Sequence, residues 1–385
     1  MNRENQEVRK LLTEIDRICK RQGIPYFLGP QLTLCSVTGQ EIPGPHSGVI
    51  YMKTADMERF RVAAGEEAPD RRIVESMNNN RRFPGFFLRY TDLDTLCFRL
   101  NEGRNYKYPG MGVDIRPLCG KPRFRLGYLW TRAQEVGWGE LADYYGDRRG
   151  KKKFLCRLFT RLRLLTGRGR LGKSLYRMLV RRTNVENPQE YVVRLKKKSI
   201  YFPAGIFEDT RTVVLEGMKL QAPADINGYL TAVYGSNYKE KVFEKYTQKP
   251  SEMVSARIRY EDYFQEVGNQ NRLIKKRLRS RRKNGRARRK KEYLTRCWNY
   301  VKFCASKMEL ETYYLDQKDY ILNLYKNKDY PTLEKVFFPY RKATVKSLKN
   351  NEIFIPDEEI QGIFLEVLGK SGRTKLKERV EKYWK

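Results

Sequence analysis

The sequence predicts an α+β protein, with a mixed β-sheet packed by helices and a helix-rich C-terminal appendage. Three observations support this fold class. Short β-type runs alternate with helix-periodic segments over the first 245 residues. Helical apolar spacing prevails from residue 292 onward. A chain of 385 residues with 40% hydrophobic side chains is also long and apolar enough for two or three folded domains.

The first half of the chain begins with an amphipathic helix, predicted over residues 4–21. Apolar residues recur there at helical spacing, and Gly23 with Pro25 ends the run. A second helix is predicted near 55–64. The predicted strands of this half cover 26–28, 49–52, 85–89, 96–100 and 111–116. Strands interrupted by helices in this way are typical of a mixed sheet with helices packed on it.

The second half of the chain is predicted to contain more helix. Helices are predicted over 128–145, 154–165 and 226–234, and a strand pair over 200–202 and 211–215. We place one domain at 1–245, with a basic helical insert at 148–182. A basic linker or helix follows at 246–291, and a separate helical region at 292–385.

Two basic blocks carry most of the net charge of +34. Residues 148–182 hold 14 basic and no acidic residues, and residues 272–291 hold 13 and none. Each block indicates a polyanionic partner, an anionic surface or a solvated charge run. In the first block, apolar and arginine residues occupy opposite helix faces, which is typical of a helix in an anionic membrane interface. The second block suits phosphate backbones equally well.

The residues that carry these two hypotheses can be named. In the first block the candidates for membrane or polyanion binding are Arg157, Leu158, Phe159, Arg161, Leu162 and Arg163. In the second block they are Lys275, Lys276, Arg277, Arg281 and Arg282.

Cysteine and histidine usage narrows the chemistry. The seven cysteines include no C-x-x-C pair, which argues against a zinc ribbon or a disulfide framework and favours a reducing cytoplasm. His46 is the only histidine, so imidazole chemistry is confined to that position. The chain shows neither a signal peptide nor an apolar run of membrane-spanning length. We therefore expect a cytoplasmic protein.

Residues 167–174 match the P-loop pattern G-x-x-x-x-G-K-[ST]. That pattern binds phosphates only between a buried strand and a helix. The preceding residues, CRLFTRLRLLT, have helical rather than strand spacing. We therefore interpret the match as a glycine-broken connection between two basic helices.

Five segments across about 230 residues carry a family resemblance. In chain order they are LLTEIDRICKRQGIPYFL, EIPG, YMKTADMERF, GVDIRPL and FEDTRTVVLEGMKLQAPADINGYLTAVYG. Together they resemble the LicD family, which includes bacterial phosphocholine transferases and fukutin-like proteins. The resemblance implies a nucleotidyltransferase-like fold. It also implies transfer of phosphocholine, or a similar phospho-substituent, from a cytidine diphosphate donor to a glycan hydroxyl.

The implied donor site departs from the family pattern. Phosphoryl transfer of this kind uses carboxylates to hold divalent ions, and the family supplies them in a segment resembling GTLLGAVRHGGFIPWDDDIDIGM. This chain has GPQLTLCSVTGQEIPGPHSGVIYM there, with Pro45, His46, Ser47 and Val49 at the acidic positions. Asp114 in GVDIRPL matches the family's third acidic position and is the candidate catalytic residue. The resemblance therefore implies either impaired or absent catalysis, or a rebuilt metal site. The order of elements in the resemblance implies that Asp114 lies on a strand adjacent to the 49–52 strand, with the N-terminal helix packed on the same sheet.

Other donor-site or pocket candidates are Pro30, Gln31, Pro43, His46, Ser47, Asp92, Asp94, Cys119 and Glu216. Asp92 and Asp94 form a D-x-D pattern, which is either a metal-ligand pair or a solvated strand entry. His46 is either a substitute metal ligand or a loop histidine without a role. Cys119 is either a nucleophile or, as we favour, a buried small side chain. Glu216 lies in the segment that resembles the family's last strand pair, where a packing role is the alternative.

The expected role is decoration of cell-surface polysaccharide, such as a capsule, lipopolysaccharide or teichoic acid. We expect a cytoplasmic location, peripheral to the inner face of the membrane. The expected partners are a lipid-linked or membrane-associated glycan, the anionic membrane surface and other glycan-assembly enzymes. Magnesium and a cytidine diphosphate-linked donor are implied as cofactor and substrate if the site is active, and no cofactor follows from the residues alone. A basic nucleic-acid-binding protein is the alternative from a different class.

Overall fold

A computed structural model describes residues 3–80, 83, 85–99, 107–121, 170–194, 199–244, 246–247, 252–263, 265, 306–348 and 353–384. The chain divides into an N-terminal unit, Met1–Tyr260, and a C-terminal unit, Glu261–Lys385. The N-terminal unit combines strands with helices, and the described part of the C-terminal unit is helical. The predicted mixture of α and β structure is therefore confirmed at the level of class.

The strands of the N-terminal unit are β1 (Phe27–Leu28), β2 (Val49–Lys53), β3 (Arg72–Glu75), β4 (Leu88–Asp92), β5 (Leu96–Arg99), β6 (Gly112–Gly120), β7 (Glu190–Arg194), β8 (Ser199–Pro203), β9 (Thr210–Leu215), β10 (Met218–Pro223) and β11 (Glu252–Ser255). Seven of them form the main sheet, in the order β1-β2-β6-β4-β3, with β7 joined to β6 and β8 joined to β7. Among the strand pairs of this sheet that the structure describes, only β2–β6 is parallel. The sheet is therefore mixed, as predicted.

The described helices of the N-terminal unit are α1 (Arg3–Gln22), α2 (Pro30–Thr38), α3 (Thr54–Glu67), α4 (Arg170–Thr183) and α5 (Ile226–Tyr234). The predicted helix over 4–21 is confirmed as α1. Its apolar stripe, including Leu11, Ile15 and Ile18, is fully buried. This stripe belongs to one apolar core with Ile50 on β2 and Ile115 on β6. Ile50 and Ile115 face each other in the strand register.

The neighbour of Asp114 is as the sequence predicts. Asp114 lies on β6, and its register partner on β2 is Val49. Helix α1 packs on the same sheet through the shared apolar core. Both parts of the expectation for Asp114 are therefore confirmed.

Two short ribbons complete the N-terminal unit. Strands β9 and β10 form an antiparallel hairpin, and β11 pairs with β5. The β9–β10 turn consists of Glu216 and Gly217, which have φ values of 46° and 82°. Two successive residues with positive φ match the right-handed twist of a two-residue hairpin. The predicted pairing of 200–202 with 211–215 is wrong, because this tight turn pairs β9 with the strand that follows it, while β8 pairs with β7.

The C-terminal unit contains helical residues 306–316 and the helices α6 (Lys318–Lys326), α7 (Tyr330–Val336), α8 (Phe338–Leu348), α9 (Glu358–Lys370) and α10 (Thr374–Trp384). Its apolar core includes Phe337, Tyr340 and Phe364. The ring centroids of Tyr340 and Phe364 lie 4.3 Å apart. The apolar spacing that predicted helices in this region therefore corresponds to the buried faces of real helices.

Some elements differ from the prediction. The sequence did not predict α2, β3, β7 or β10, and β11 lies inside the predicted linker 246–291. Strand β3 has four residues, three of them only partly buried, so it shows no clear alternation. The predicted helices 128–145 and 154–165 lie outside the described residues.

Candidate functional site

A row of charged residues crosses three adjacent strands of the main sheet and ends at Val49 on the fourth. In register, Glu75 on β3 faces Arg89 on β4, Arg89 faces Asp114 on β6, and Asp114 faces Val49 on β2. Residues directly opposite one another project from the same face of a sheet. The residues that alternate with them, such as Ile115 on β6, belong to the apolar core under α1. The charged row therefore occupies the face opposite α1, and we call it the polar face.

Two guanidinium groups neutralise Asp114. Arg89 Nη1 lies 3.2 Å from Asp114 Oδ1, and Arg116 Nη2 lies 3.5 Å from Asp114 Oδ2. Arg89 also donates to the Gly110 carbonyl, at 3.4 Å. The Arg116 guanidinium lies 5.7 Å from the centre of the Phe87 ring, a cation–π contact. Asp114 is thus engaged by cations of the protein on both carboxylate oxygens.

Glu75 is a buried carboxyl that the sequence analysis did not identify. Its Oε1 accepts hydrogen bonds from Asn80 Nδ2 at 2.7 Å and from the Lys107 backbone N–H at 2.6 Å. Its Oε2 has no hydrogen-bond partner in the described part of the chain. Burial raises the pKa of Glu75 to about 7, although these hydrogen bonds and the charge of Arg89 oppose the rise. The polar face therefore carries one carboxyl that titrates near neutrality.

The residues of the polar face do not fit a magnesium site of the family type. Such a site needs carboxylates that converge on one ion. Within the described residues, no group of three or more His, Cys, Asp or Glu side chains is arranged to hold a metal. Asp114 faces Val49 where the resemblance implies a second acid, and its oxygens face Arg89 and Arg116.

The loop before β2 holds the predicted residues Pro43, His46 and Ser47. The Pro43 carbonyl accepts from the Tyr246 backbone N–H at 2.9 Å. Ser47 is buried, and its backbone N–H donates to the Gly44 carbonyl at 3.0 Å. The Gly48 carbonyl accepts from the Asp114 backbone N–H at 2.8 Å, so the end of this loop lies beside the start of β6. The loop therefore adjoins Asp114 but brings no carboxylate to it.

His46 lies between a thiol and a carboxylate. Its Nδ1 is 3.7 Å from Cys97 Sγ, and its Nε2 is 3.7 Å from Glu252 Oε2. The Tyr246 hydroxyl donates to the same Glu252 oxygen at 3.0 Å. His46 is a loop residue, as interpreted from the sequence, and the fold gives it two polar neighbours that its flanking residues do not provide. Sequence reasoning missed Cys97 and Glu252, because 51 residues separate His46 from Cys97 and only the fold brings them together.

Pro30 and Gln31 begin helix α2, directly after the turn residue Gly29. The Gly29 N–H donates to the Val49 carbonyl at 2.8 Å. A Cβ atom at Gly29 would lie 2.7 Å from that carbonyl oxygen, so only glycine fits this close approach. The turn thus holds the start of α2 against β2, at the strand position that faces Asp114.

Asp92 and Asp94 do not form a metal-ligand pair in the structure. Asp92 is only 2% exposed and makes a 2.7 Å ion pair with Arg72 Nη1. Asp94 forms ion pairs with Arg71 at 2.5 Å and with Arg259 at 3.3 Å. The Asp94 backbone N–H donates to Asp92 Oδ1, at 2.8 Å, which is the geometry of a local turn. Neither carboxylate joins Asp114, because Asp92 lies on the face of β4 that carries the core residues Leu88 and Tyr90.

Cys119 and Glu216 also lie apart from the polar face charges. The prediction that Cys119 is a buried side chain is wrong, because Cys119 is partly exposed near the end of β6. Its Sγ donates to the Pro117 carbonyl at 3.9 Å. Glu216 stabilises local structure, since its Oε1 accepts from the Ile42 backbone N–H at 2.7 Å and its Oε2 lies 3.5 Å from Arg9 Nε. Glu216 thus joins the β9–β10 turn to the loop before β2 and to α1.

Most of the two basic blocks lies outside the described residues, including all eleven candidate binding residues named above. The exception is α4, which covers the end of the first block and includes residues 170–174 of the P-loop match. Its apolar residues Tyr176 and Leu179 are buried in the core of the N-terminal unit. This part of the predicted insert therefore belongs to the folded unit, and the side chains that it exposes to solvent include Arg177, Arg181 and Arg182. None of the described helices is long and apolar enough to cross a membrane.

Comparison of the chain with protein-family models and with curated proteins found no match.

Proposed function

We propose that the chain is a LicD-like protein of cell-surface polysaccharide or teichoic acid decoration, with a nucleotidyltransferase-like fold and a donor site that has lost metal-dependent transfer. The order of α1, β1, the Gly29 turn, α2 and β2 supports the fold, because the resemblance implies a helix, a strand, a glycine turn and then the formerly acidic strand. The parallel pairing of β2 with the Asp114 strand supports it further.

The observation that carries the proposal is the double ion pair of Asp114. A catalytic carboxylate of this chemistry must offer its oxygens to a divalent ion. Here Arg89 and Arg116 take the place of the ion beside the Asp114 oxygens. The residue that faces Asp114 on β2 is Val49, which has no carboxylate. Charge balance is reached without a metal. Arg116 also has a buried Nε without a hydrogen-bond partner in the described residues, and guanidinium donors bind phosphate oxygens well. A retained site for a phospho-substituent is consistent with such a donor.

Donor assays test the proposal directly. We expect weak binding of cytidine diphosphate-choline that does not depend on magnesium, and transfer near background, measured by calorimetry and by release of cytidine monophosphate. Asp114→Asn should leave both results unchanged, because Asp114 holds no metal. Asp94→Asn is the matched control, since this carboxylate lies outside the polar face. Rapid, magnesium-dependent turnover that Asp114→Asn abolishes and Asp94→Asn preserves would contradict the proposal.

An active transferase with a rebuilt site is the second candidate, and Glu75 favours it. A buried carboxyl with a pKa about 7 is suited to general base catalysis at neutral pH. Glu75 and Asp114 lie in register on either side of Arg89. If this candidate holds, Glu75→Gln and Asp114→Asn should each abolish a measurable transfer activity, whereas the degenerate site predicts no activity to lose.

Association with an anionic membrane is proposed for the basic blocks, with nucleic-acid binding as the alternative. A basic amphipathic helix gains from apolar insertion and from charge, whereas a phosphate-backbone binder depends on counterion release. We expect the protein to sediment with anionic vesicles. Replacing Leu158, Phe159 and Leu162 by Ser should weaken vesicle binding more than DNA binding.

The matched control for that experiment changes the apolar residues of the second block, Leu273, Ile274 and Leu278, to Ser. These substitutions should affect vesicle binding less, because the second block has no continuous apolar face. Equal losses for vesicles and DNA after the change in the first block would favour the nucleic-acid alternative. So would an affinity for DNA that far exceeds the affinity for vesicles at physiological salt.

A further inference from the structure

A thiol, an imidazole and a carboxylate lie in a row where the β5–β11 ribbon meets the loop before β2. Cys97 lies on β5 and Glu252 on β11. In the ribbon, Cys97 faces Val254, and Glu252 is two residues from Val254 on the same strand. Cys97 and Glu252 therefore project from one face of the ribbon, as diagonal neighbours. His46 enters between them from the loop.

The geometry of the row is that of a proton relay and not of a metal site. Cys97 Sγ contacts Nδ1 of His46, at 3.7 Å, while Glu252 Oε2 lies 3.7 Å from the opposite nitrogen, Nε2. A metal can bind only one nitrogen of an imidazole, so three ligands would have to converge on one side of the ring. The observed order is thiol, imidazole and carboxylate, with the carboxylate at ion-pair distance from the ring. This is the order in which a base and an orienting carboxylate activate a nucleophilic side chain.

The surroundings hold this arrangement in place. The Tyr246 hydroxyl donates to Glu252 Oε2 at 3.0 Å, and the Tyr246 ring packs edge-on against His46 with centroids 5.9 Å apart. Glu252 is only 5% exposed, which strengthens its charge interaction with an imidazolium because little water screens it. A protonated His46 is thus stabilised beside the sulfur atom.

We propose that Cys97 is a reactive thiol that His46 activates and that small hydroperoxides oxidise. The Cys97 thiol transfers its proton to His46 Nδ1, and Glu252 stabilises the imidazolium. The thiolate sulfur attacks one oxygen of the hydroperoxide, so that an S–O bond forms and the O–O bond breaks. The departing oxygen takes the proton from His46. Cysteine is oxidised by two electrons to sulfenic acid, and the hydroperoxide is reduced to water or an alcohol.

Burial selects the class of oxidant. Cys97 is 7% exposed, so any oxidant that reaches its sulfur must be a small molecule. The His46 side chain is 24% exposed, which gives the transferred proton a path to solvent. Hydrogen peroxide is small and neutral, and it meets both conditions. This activity is independent of the proposed donor site, because none of the three residues belongs to the polar face.

The other described cysteines provide internal controls. Burial raises the pKa of the Cys19 thiol well above its usual range, and burial together with the charge of Glu216 raises the pKa of Cys35 to about 11. Cys119 is more exposed than Cys97, but its Sγ donates to a backbone carbonyl. If exposure alone controls reactivity, Cys119 should react before Cys97. If His46 activates Cys97, the order is reversed.

The test uses the full, reduced chain at neutral pH. Hydrogen peroxide is added in limiting amount, sulfenic acids are trapped with dimedone, and labelled peptides are quantified by mass spectrometry. We expect the Cys97 peptide to be labelled about tenfold faster than the Cys119 peptide. Faster labelling of Cys119 in the wild-type protein would overturn the proposal, and this comparison requires no variant.

Variants then assign the cause. His46→Gln should slow labelling of Cys97 about tenfold, while labelling of Cys119 in the same molecule stays unchanged. Cys119→Ser is the matched control and should leave the Cys97 rate unchanged. An unchanged Cys97 rate in His46→Gln would overturn the role of the imidazole. A rise in the labelling of Cys19 or Cys35 would reveal that this variant is unfolded, and the wild-type order of Cys97 and Cys119 would then decide.

Discussion

Replacing Arg72 by Met should destabilise the N-terminal unit by about 3–5 kcal/mol, because it leaves buried carboxylates without a counter-charge. Arg72 on β3 is almost fully buried. Its guanidinium lies 2.7 Å from Asp92, 2.9 Å from Glu14 and 3.8 Å from Glu7. Methionine retains an apolar stem of similar length, so the loss reports the charge and its hydrogen bonds.

Hydrogen exchange is the appropriate measurement, because it resolves one unit of a two-unit chain. In the Arg72→Met variant, the opening free energy of protected amides in β3 and β4 should fall by about 3–5 kcal/mol. That of amides in α9 should not change. Lys121→Met is the matched control, since Lys121 and Glu190 form an exposed pair with 42% and 40% of their side chains accessible. That substitution should cost less than about 1 kcal/mol. Similar losses for both variants would contradict the prediction.

The second large effect concerns the pH dependence of stability, through Glu75. Its pKa is about 7 in the folded state, against an ordinary value of 4.5. The folded state therefore holds a proton that the unfolded state releases between these two values. Stability from this group is complete below pH 4.5 and is lost as the pH rises through 7. The loss is roughly 3–4 kcal/mol, since each pKa unit corresponds to about 1.4 kcal/mol.

Glu75→Gln removes this titration while keeping an oxygen that accepts from Asn80 and from the Lys107 N–H. Urea unfolding of both proteins from pH 4 to 8 gives the difference in free energy of unfolding. We expect the free energy of unfolding of the variant, relative to that of the wild type, to increase steadily between pH 4.5 and 7. The difference should level off above pH 8. Parallel curves for the two proteins over this range would show that Glu75 titrates normally.

Glu7 should remain as a second source of the same trend in both proteins. Burial, with the hydrogen bond and charge of Asp92, raises its pKa to about 8. Because Glu7 is retained in both proteins, its contribution cancels in the difference curve. The wild-type protein alone should therefore lose stability over a wider pH range than the difference curve indicates.

Local apolar spacing predicted α1, α3 and α5 but not α2, and pairing between distant segments was harder still to predict. Helix α1 follows from a stripe of residues within one segment, and the structure buries that stripe. The placement of Asp114 beside Val49 followed from the resemblance, because spacing alone does not specify which strands pair. The wrong pairing of 200–202 with 211–215 has the same origin.

The charged residues of the candidate site were hard to predict for the same reason, because strand pairing between distant segments brings them together. Glu75 lies in a short strand whose sequence has no distinguishing motif, and only the sheet register sets it beside Arg89 and Asp114. Asp92 and Asp94 formed a visible motif, yet alternation along β4 directs Asp92 toward α1 and its ion pair with Arg72. Cys97 and Glu252 meet His46 through a ribbon of strands more than 150 residues apart in sequence.

The loop before β2 is fastened to three remote parts of the chain. Asn5 Nδ2 donates to the Ile42 carbonyl at 2.7 Å, Glu216 accepts from the Ile42 N–H, and Tyr246 donates to the Pro43 carbonyl. A loop fixed in this way cannot fray alone, because its opening would break contacts with a helix, a hairpin and the segment before β11. Its conformational entropy is already lost when the unit folds. A ligand that meets this segment would therefore find a surface whose shape is preset, and binding would not have to order it.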